Sequence, residues 1–143
     1  GFTIARRYYT RAGQEVDPGQ IRQNDLLVAV ITGEAQGRDK QQALVVDLLP
    51  AGLEIENARL AHNASTVDIA WLPELTETLH TEIRDDRFVA ALDLEAGNAR
   101  KFTLAYLVRA VTPGVYRQPA VYVEDMYQPW QFGRGALGVV KIE

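Results

Sequence analysis

The 143-residue sequence contains no cysteine, which excludes disulfide bridges, thiolate metal ligands and a cysteine nucleophile. Histidine and serine are almost as scarce, since only His62, His80 and Ser65 occur. His62 and Ser65 are three residues apart, but no G-x-S-x-G motif surrounds the serine. A hydrolase triad is therefore not indicated, and we interpret both residues as parts of a solvated loop.

Long apolar runs and an excess of positive charge are also missing. No run approaches the roughly 18 apolar residues of a membrane span, so we expect this chain not to insert into a membrane. The 15 Lys and Arg against 19 Asp and Glu give a net charge of −4, which lacks the basic footprint of a nucleic-acid-binding domain. The hydrophobic share of 47% and the charged share of 24% are typical of one soluble globular domain.

Apolar residues alternate with period two along several short segments, a pattern typical of β-strands with one buried face. The clearest stripes are Phe2, Ile4 and Tyr8; Leu26, Val28 and Val30; Leu44, Val46 and Leu48; Phe88, Ala90, Leu92 and Leu94; and Phe102, Leu104, Tyr106, Val108 and Ala110. The sequence therefore predicts an all-β fold, an antiparallel β-sandwich of about seven to nine strands. At most one short helix is predicted, capped by Asp68 and ending at Leu79.

Turn residues suggest how these strands connect. The sequence of residues 95–98 is typical of a hairpin loop, which predicts that the strands on either side of it pair antiparallel. Pro119 interrupts the extended stretch between Val115 and Val123, because proline cannot donate a hydrogen bond to a sheet ladder. We therefore expect a break or a sheet edge at Pro119.

Two acidic pairs, Asp85-Asp86 and Glu124-Asp125, are the densest carboxylate clusters. Successive residues of a strand point to opposite faces, so neither pair converges on a substrate by itself. Arg84 and Arg87 flank the first pair, which favours a turn held by ion pairs over an acid–base site in an enzyme. No calcium-loop pattern or other metal-ligand cluster occurs, and we predict no catalytic residue, no metal and no cofactor.

Three aromatic residues stand apart from the predicted core. Tyr127, Trp130 and Phe132 follow a predicted strand and surround Pro129. Apolar side chains in a loop of this kind are typical of a surface that covers a neighbouring protein module. Packing within the domain itself is the alternative interpretation of the same residues.

Several segments together resemble the C-terminal domain of the bacterial α2-macroglobulins, in the order in which that family has them. They are Arg7-Tyr8-Tyr9, residues 43–57 (ALVVDLLPAGLEIEN), residues 84–91 (RDDRFVAA), residues 106–114 (YLVRAVTPG) and residues 123–129 (VEDMYQP). The resemblance implies a sandwich of the macroglobulin or receptor-binding-domain type, with residues 1–143 as a single C-terminal domain. We expect the chain to be a fragment of a much larger protein.

The resemblance also implies a function for that larger protein. The family is one of periplasmic lipoproteins anchored to the inner membrane, which trap proteases by bait cleavage and capture by an internal thioester. The implied partners are the thioester domain of the same chain, target proteases and a bifunctional penicillin-binding protein. A thioester needs a cysteine, so that chemistry is expected outside this chain.

Within the resemblance, Tyr127 matches a family tyrosine that covers the thioester, with Met126 and Trp130 as supporting contacts. A phenol ring can exclude water from a reactive bond and still keep a polar tip. The three lysines of this chain are scattered, so the paired lysines of the eukaryotic receptor-binding domain are not matched and receptor binding is not implied. The alternative function is a protein- or ligand-binding module of a bacterial surface adhesin, because a sandwich by itself does not fix function.

Overall fold

The computed structural model describes residues 1–57 and 69–143, and this part of the chain is built from eleven β-strands. They are β1 (Phe2–Tyr9), β2 (Leu26–Ala35), β3 (Gln41–Leu48), β4 (Leu53–Asn57), β5 (His80–Arg84), β6 (Arg87–Leu94), β7 (Arg100–Ala110), β8 (Gly114–Gln118), β9 (Tyr122–Asp125), β10 (Phe132–Arg134) and β11 (Gly138–Ile142). The count exceeds the predicted seven to nine because short strands such as β10 have too few residues to show an alternating pattern.

The strands form three sheets in which every pair of neighbours is antiparallel. One sheet has four strands in the order β1-β2-β7-β4, and another has five in the order β10-β9-β3-β6-β5. The remaining two strands, β11 and β8, pair with each other. The predicted all-β, antiparallel fold class is confirmed.

The main core lies between the facing sheets and takes its side chains from the alternating positions of their strands. Phe88 of β6 stacks on Tyr106 of β7, with ring centroids 4.6 Å apart. Because β6 belongs to the five-stranded sheet and β7 to the four-stranded sheet, this contact joins the two layers. Aromatic pairs of this kind contribute about 1 kcal/mol beyond their buried area.

The prediction that β6 and β7 form a hairpin is wrong. Residues 95–99 instead carry the chain from one sheet to the other, and Gly97 and Ala99 both have positive φ there, 145° and 50°. The prediction that each of these two strands has one buried face is confirmed. Alternation within a strand does not show whether two strands pair in one sheet or face each other from two sheets. Here β6 and β7 face each other from the two large sheets.

On β3 the predicted apolar stripe is not the face that packs in the core. Leu44, Val46 and Leu48 do share a face, but it is the half-buried outer face of the five-stranded sheet. The fully buried positions are Gln41, Ala43, Val45 and Asp47, two of which are polar. Because Gln41 and Asp47 are polar, a pattern of alternating apolar residues does not identify this buried face of β3.

Residues 69–79 contain no helix, which agrees with the prediction of at most one short helix; the candidate segment after Asp68 is loop and turn where the structure describes it. Asp68 itself lies outside the described residues, as do His62 and Ser65. Residues 69–75 instead run across the outer face of the four-stranded sheet, where Ile69 and Trp71 pack on Val28 and Leu107. The strand β2 is therefore covered on both faces. Within the described residues, no helix has the length and apolar composition that crossing a membrane requires.

Candidate functional site

The loop between β9 and β10, residues 126–131, carries the most exposed aromatic side chains among the described residues. Tyr127 is 74% exposed and Trp130 is 72% exposed, while Met126 at 37% is only partly covered. Phe132, the first residue of β10, is 46% exposed and its ring lies 6.0 Å from that of Tyr122. The predicted exposure of Tyr127 and Trp130 on a loop that follows a strand is confirmed, and their function stays a prediction.

The backbone of this loop is fixed by Asp125, the last residue of β9. Its side chain is buried, and Oδ1 accepts hydrogen bonds from the backbone N–H of Tyr127 at 2.8 Å and of Gln128 at 3.0 Å. An aspartate that bonds the backbone two and three residues ahead closes a tight turn. The turn aims the Tyr127 side chain away from the core.

Asp125 is itself held by two other buried polar side chains. Gln41 of β3 donates from Nε2 to Asp125 Oδ2 at 3.0 Å, and Arg100 of β7 donates from Nη2 to Gln41 Oε1 at 2.9 Å. Arg100 also donates to the backbone carbonyls of Gly37, at 3.1 Å, and Asp39. This chain of bonds ties the loop to strands of both large sheets.

The neighbouring glutamine of β3 holds the loop from the outer face. The backbone carbonyl of Gln42 accepts from the N–H of Met126 at 2.8 Å, and its Oε1 accepts from the Tyr127 hydroxyl at 3.1 Å. Successive strand residues point to opposite faces, so Gln41 and Gln42 reach the same loop from the inside and the outside. We call Gln41, Gln42, Arg100 and Asp125 the loop clamp.

A shallow cleft of about 410 Å³ lies beside Tyr127. It is lined by Gly37, Asp39, Lys40, Gln41, Gln42, Asp125, Tyr127, Gln128 and Gln131. The lining offers amides, two carboxylates, one phenol and one ammonium group, but no serine, threonine or cysteine nucleophile with an adjacent base of the kind that covalent catalysis uses. Among residues 1–57 and 69–143, no group of three or more His, Asp or Glu side chains could hold a metal ion.

The acidic pairs are placed as the sequence analysis predicted. Asp86 forms an ion pair with Arg87 at 3.0 Å in the turn between β5 and β6, and this hydrogen bond lowers the pKa of Asp86. Arg84 pairs with Glu82 rather than with the turn. Glu124 points outward and accepts from the Tyr122 hydroxyl at 3.2 Å, whereas Asp125 points inward.

A second buried polar cluster lies between the sheets and escaped the sequence analysis. Asp47 of β3 accepts hydrogen bonds from Arg6 of β1 and from the Tyr106 hydroxyl of β7. Arg6 also donates to the carbonyl of Pro119 at 3.0 Å. Removal from water raises the pKa of the Asp47 carboxyl, and the Arg6 guanidinium beside it opposes that shift. An ion pair this deep is expected to specify how the sheets meet more than to add stability.

Tyr127, Met126 and Trp130 are predicted from the sequence as contact residues, whereas the residues that hold the loop are not. Gln41 and Arg100 are separated from Asp125 by 84 and 25 positions along the chain, so no local motif unites them. One signal was available for Gln41: it stands two residues before Ala43 and so shares the face of Val45. A polar residue at a core-facing position needs a polar partner.

Comparisons with known proteins identify the family to which this chain belongs. The family model described as the bacterial alpha-2-macroglobulin MG10 domain matches residues 1–129. An alpha-2-macroglobulin of Xylella fastidiosa is 42% identical over 141 residues, which cover 94% of this chain and 8% of that relative. This chain therefore spans less than a tenth of the relative's length.

Solved structures show the same likeness. The crystal structure of Salmonella alpha-2-macroglobulin reacted with methylamine matches with a TM-score of 0.82 and 37% identity, covering 99% of this chain and 9% of that one. The crystal structure of trypsin-activated alpha-2-macroglobulin from Escherichia coli matches with a TM-score of 0.83 and 34% identity, covering 99% and 10%. On the match over residues 1–129 and the identity to the Xylella protein, the chain belongs to the bacterial alpha-2-macroglobulin MG10 domain family.

Proposed function

We propose that this chain is a non-catalytic interaction domain of a larger bacterial α2-macroglobulin-like protease inhibitor, here called the parent protein. In this proposal the domain packs against the thioester domain of the parent protein and shields the thioester from water and small amines. Tyr127 supplies the shield, and Met126 and Trp130 supply contacts beside it. Residues 1–143 then act as one C-terminal module.

One observation carries the proposal: Tyr127 is three-quarters exposed, yet its backbone N–H and its hydroxyl are both held by hydrogen bonds. Exposed aromatic rings are normally mobile or packed on a neighbour, because large apolar surfaces in water are unfavourable. A ring fixed in an outward direction is preorganised for a contact and loses little conformational entropy on binding.

The related proteins supply the chemistry that such a contact would protect. The Salmonella protein reacts with methylamine and the E. coli protein is activated by trypsin. We carry both properties to the parent protein as proposals: a thioester that amines can attack, and proteases as targets. A periplasmic location, anchoring to the inner membrane as a lipoprotein and association with a penicillin-binding protein are proposed on the family resemblance alone.

The direct test replaces Tyr127 by glycine in the parent protein. Methylamine attacks the acyl carbon of a thioester, forms an amide and releases the cysteine thiol, which a thiol reagent detects. We expect Tyr127→Gly to release thiol about ten times faster than the unchanged protein, because the ring no longer excludes the amine; tenfold corresponds to about 1.4 kcal/mol. Since this chain has no cysteine, the signal comes from elsewhere in the parent protein.

Two controls separate shielding from a general effect of the substitution. Leu137 is 81% exposed but lies outside the β9–β10 loop, so Leu137→Gly should leave the rate unchanged. Tyr127→Phe keeps the ring and loses only the bond to Gln42, so its rate should rise by no more than about threefold, the factor for one neutral hydrogen bond. An unaltered rate in Tyr127→Gly would refute the shielding role.

A further inference from the structure

The loop clamp holds a surface loop of six residues with three buried polar side chains. Asp125, Gln41 and Arg100 are 4%, 7% and 7% exposed, so three polar side chains have been taken out of water at this place. Burying polar groups costs free energy unless each is hydrogen bonded, and here the bonds are made among the three and to the loop backbone. The result is an exposed loop with a buried polar anchor.

The hydrogen bonds that join the three buried clamp residues are donated in one direction, from Arg100 to Gln41 and from Gln41 to Asp125. Arg100 can only donate and the Asp125 carboxylate can only accept, so the amide of Gln41 between them has a fixed orientation. Its oxygen faces Arg100, and its nitrogen donates both to Asp125 and, at 2.8 Å, to Gln131 Oε1 in the loop. A change of chemistry at either end therefore cannot be absorbed by turning the glutamine over.

We propose that the loop clamp consists of positioning residues, which hold Tyr127 in the orientation that shields the thioester. This inference rests on the proposed function and adds to it the residues through which the domain sets the shield. Gln41 and Asp125 fix the backbone of the loop from the inside, and Gln42 fixes the phenol from the outside. Arg100 extends the anchor to the four-stranded sheet.

The sharpest variant is Asp125→Asn in the parent protein, because it preserves shape and reverses the polarity of one atom. If Oδ1 of the new asparagine still accepts from Tyr127 and Gln128, its amide nitrogen must face the Gln41 nitrogen, which is also a donor. Turning Gln41 over would then set its nitrogen against Arg100. The loop therefore loses one of its anchors whichever group moves.

Two measurements on the parent protein test this. We expect Asp125→Asn to release thiol with methylamine about ten times faster, the factor expected for losing a hydrogen bond to a charged group. We also expect faster hydrogen exchange in the peptide that covers residues 126–131. Tyr8→Phe is the matched control, because it removes the buried hydrogen bond of 3.0 Å from Tyr8 to Gln118 and touches no clamp residue. Its thiol release and its loop exchange should both stay unchanged.

Gln42→Ala guards against a variant that fails to fold, since Gln42 is half-buried and its loss leaves the buried part of the clamp intact. It should raise the thiol-release rate by a smaller factor, about threefold, for one neutral hydrogen bond.

The outcomes separate this inference from the proposed function. The inference is overturned if Asp125→Asn and Gln42→Ala leave thiol release unchanged while Tyr127→Gly accelerates it, or if Tyr8→Phe accelerates it equally. If Tyr127→Gly has no effect, the shielding role is the one that fails. In that case faster hydrogen exchange of residues 126–131 in Asp125→Asn still supports the role of the clamp in holding the loop. Unchanged exchange overturns that role.

Discussion

The hydroxyls of Tyr8 and Tyr106 lie in the interior, beside the buried pair of Arg6 and Asp47. Burial raises the pKa of Tyr8 to about 12 and raises that of Tyr106 well above 10, because a phenolate would lose its hydration there. Each phenol contributes to stability only while it is protonated. Buried tyrosines of this kind make the free energy of unfolding fall at alkaline pH.

This coupling gives the first prediction at the residue scale. A pKa raised in the folded state gives a contribution that is complete below pH 10 and is lost as the pH rises from 10 through about 12. For Tyr8 a shift from 10.0 to about 12 corresponds to about 3 kcal/mol in total, of which about 2 kcal/mol is lost by pH 12. We expect Tyr8→Phe to flatten the decline, measured by urea unfolding of the 143-residue chain between pH 8 and pH 12.

Tyr8→Phe also loses the bond to Gln118, so the variant should be less stable than the unchanged chain at pH 8 and should approach it at pH 12. Parallel curves for the two proteins over the whole range would contradict the assignment of the buried phenol. The remaining decline in Tyr8→Phe is assigned to Tyr106 and Tyr122, whose pKa values are also raised by burial.

At the scale of elements, sequence reasoning succeeded for individual strands and failed for their neighbours. The alternation of Phe88, Ala90 and Leu92 placed β6 correctly because a buried face repeats every second residue. The pairing of β6 with β7 could not be read the same way, since the turn sequence at residues 95–98 serves a hairpin and a crossing between sheets equally well. Pairing is decided by distant partners such as β3 and β2.

The edges of the two large sheets approach each other closely where β10 passes β1. A Cβ placed on Gly133 would lie 2.3 Å from the carbonyl oxygen of Phe2, which is backbone and cannot turn aside. The absence of a side chain therefore lets the β9–β10 unit sit against the four-stranded sheet. The same contact positions β10, the strand that follows the Tyr127 loop.

We expect Gly133→Ala to lower the free energy of unfolding by about 1–3 kcal/mol, because β10 must shift to make room for the methyl group. Gly138→Ala is the matched control in another strand, where the nearest atom to the added Cβ is 3.9 Å away and the change should be within about 1 kcal/mol of neutral. Urea unfolding of both variants measures the difference, and equal stabilities would contradict the close approach of β1 and β10.

At the scale of the whole molecule, the described residues form a buried apolar core and a β9–β10 loop with exposed aromatic side chains. Composition and alternation were sufficient to predict the sandwich, whereas the position of Tyr127 after a strand left an outward ring and packing within the domain as alternatives, of which the structure shows the first. The clamp beneath that ring could not be predicted from sequence. Its members meet only when β3, β7 and β9 are packed together, and isolated Gln and Arg residues are commonest on surfaces.

Shielding requires the Tyr127 ring to face the thioester of the parent protein, and site-specific photo-crosslinking tests this contact directly. Tyr127 is replaced by benzoylphenylalanine, which keeps an aromatic ring, and the irradiated parent protein is digested and analysed by mass spectrometry. Leu137, replaced in the same way, is the exposed control site. We predict crosslinks from position 127, and none from position 137, to the peptide that carries the thioester residues. Crosslinks from position 127 only to other parts of the parent protein, or to a second molecule, would contradict the account.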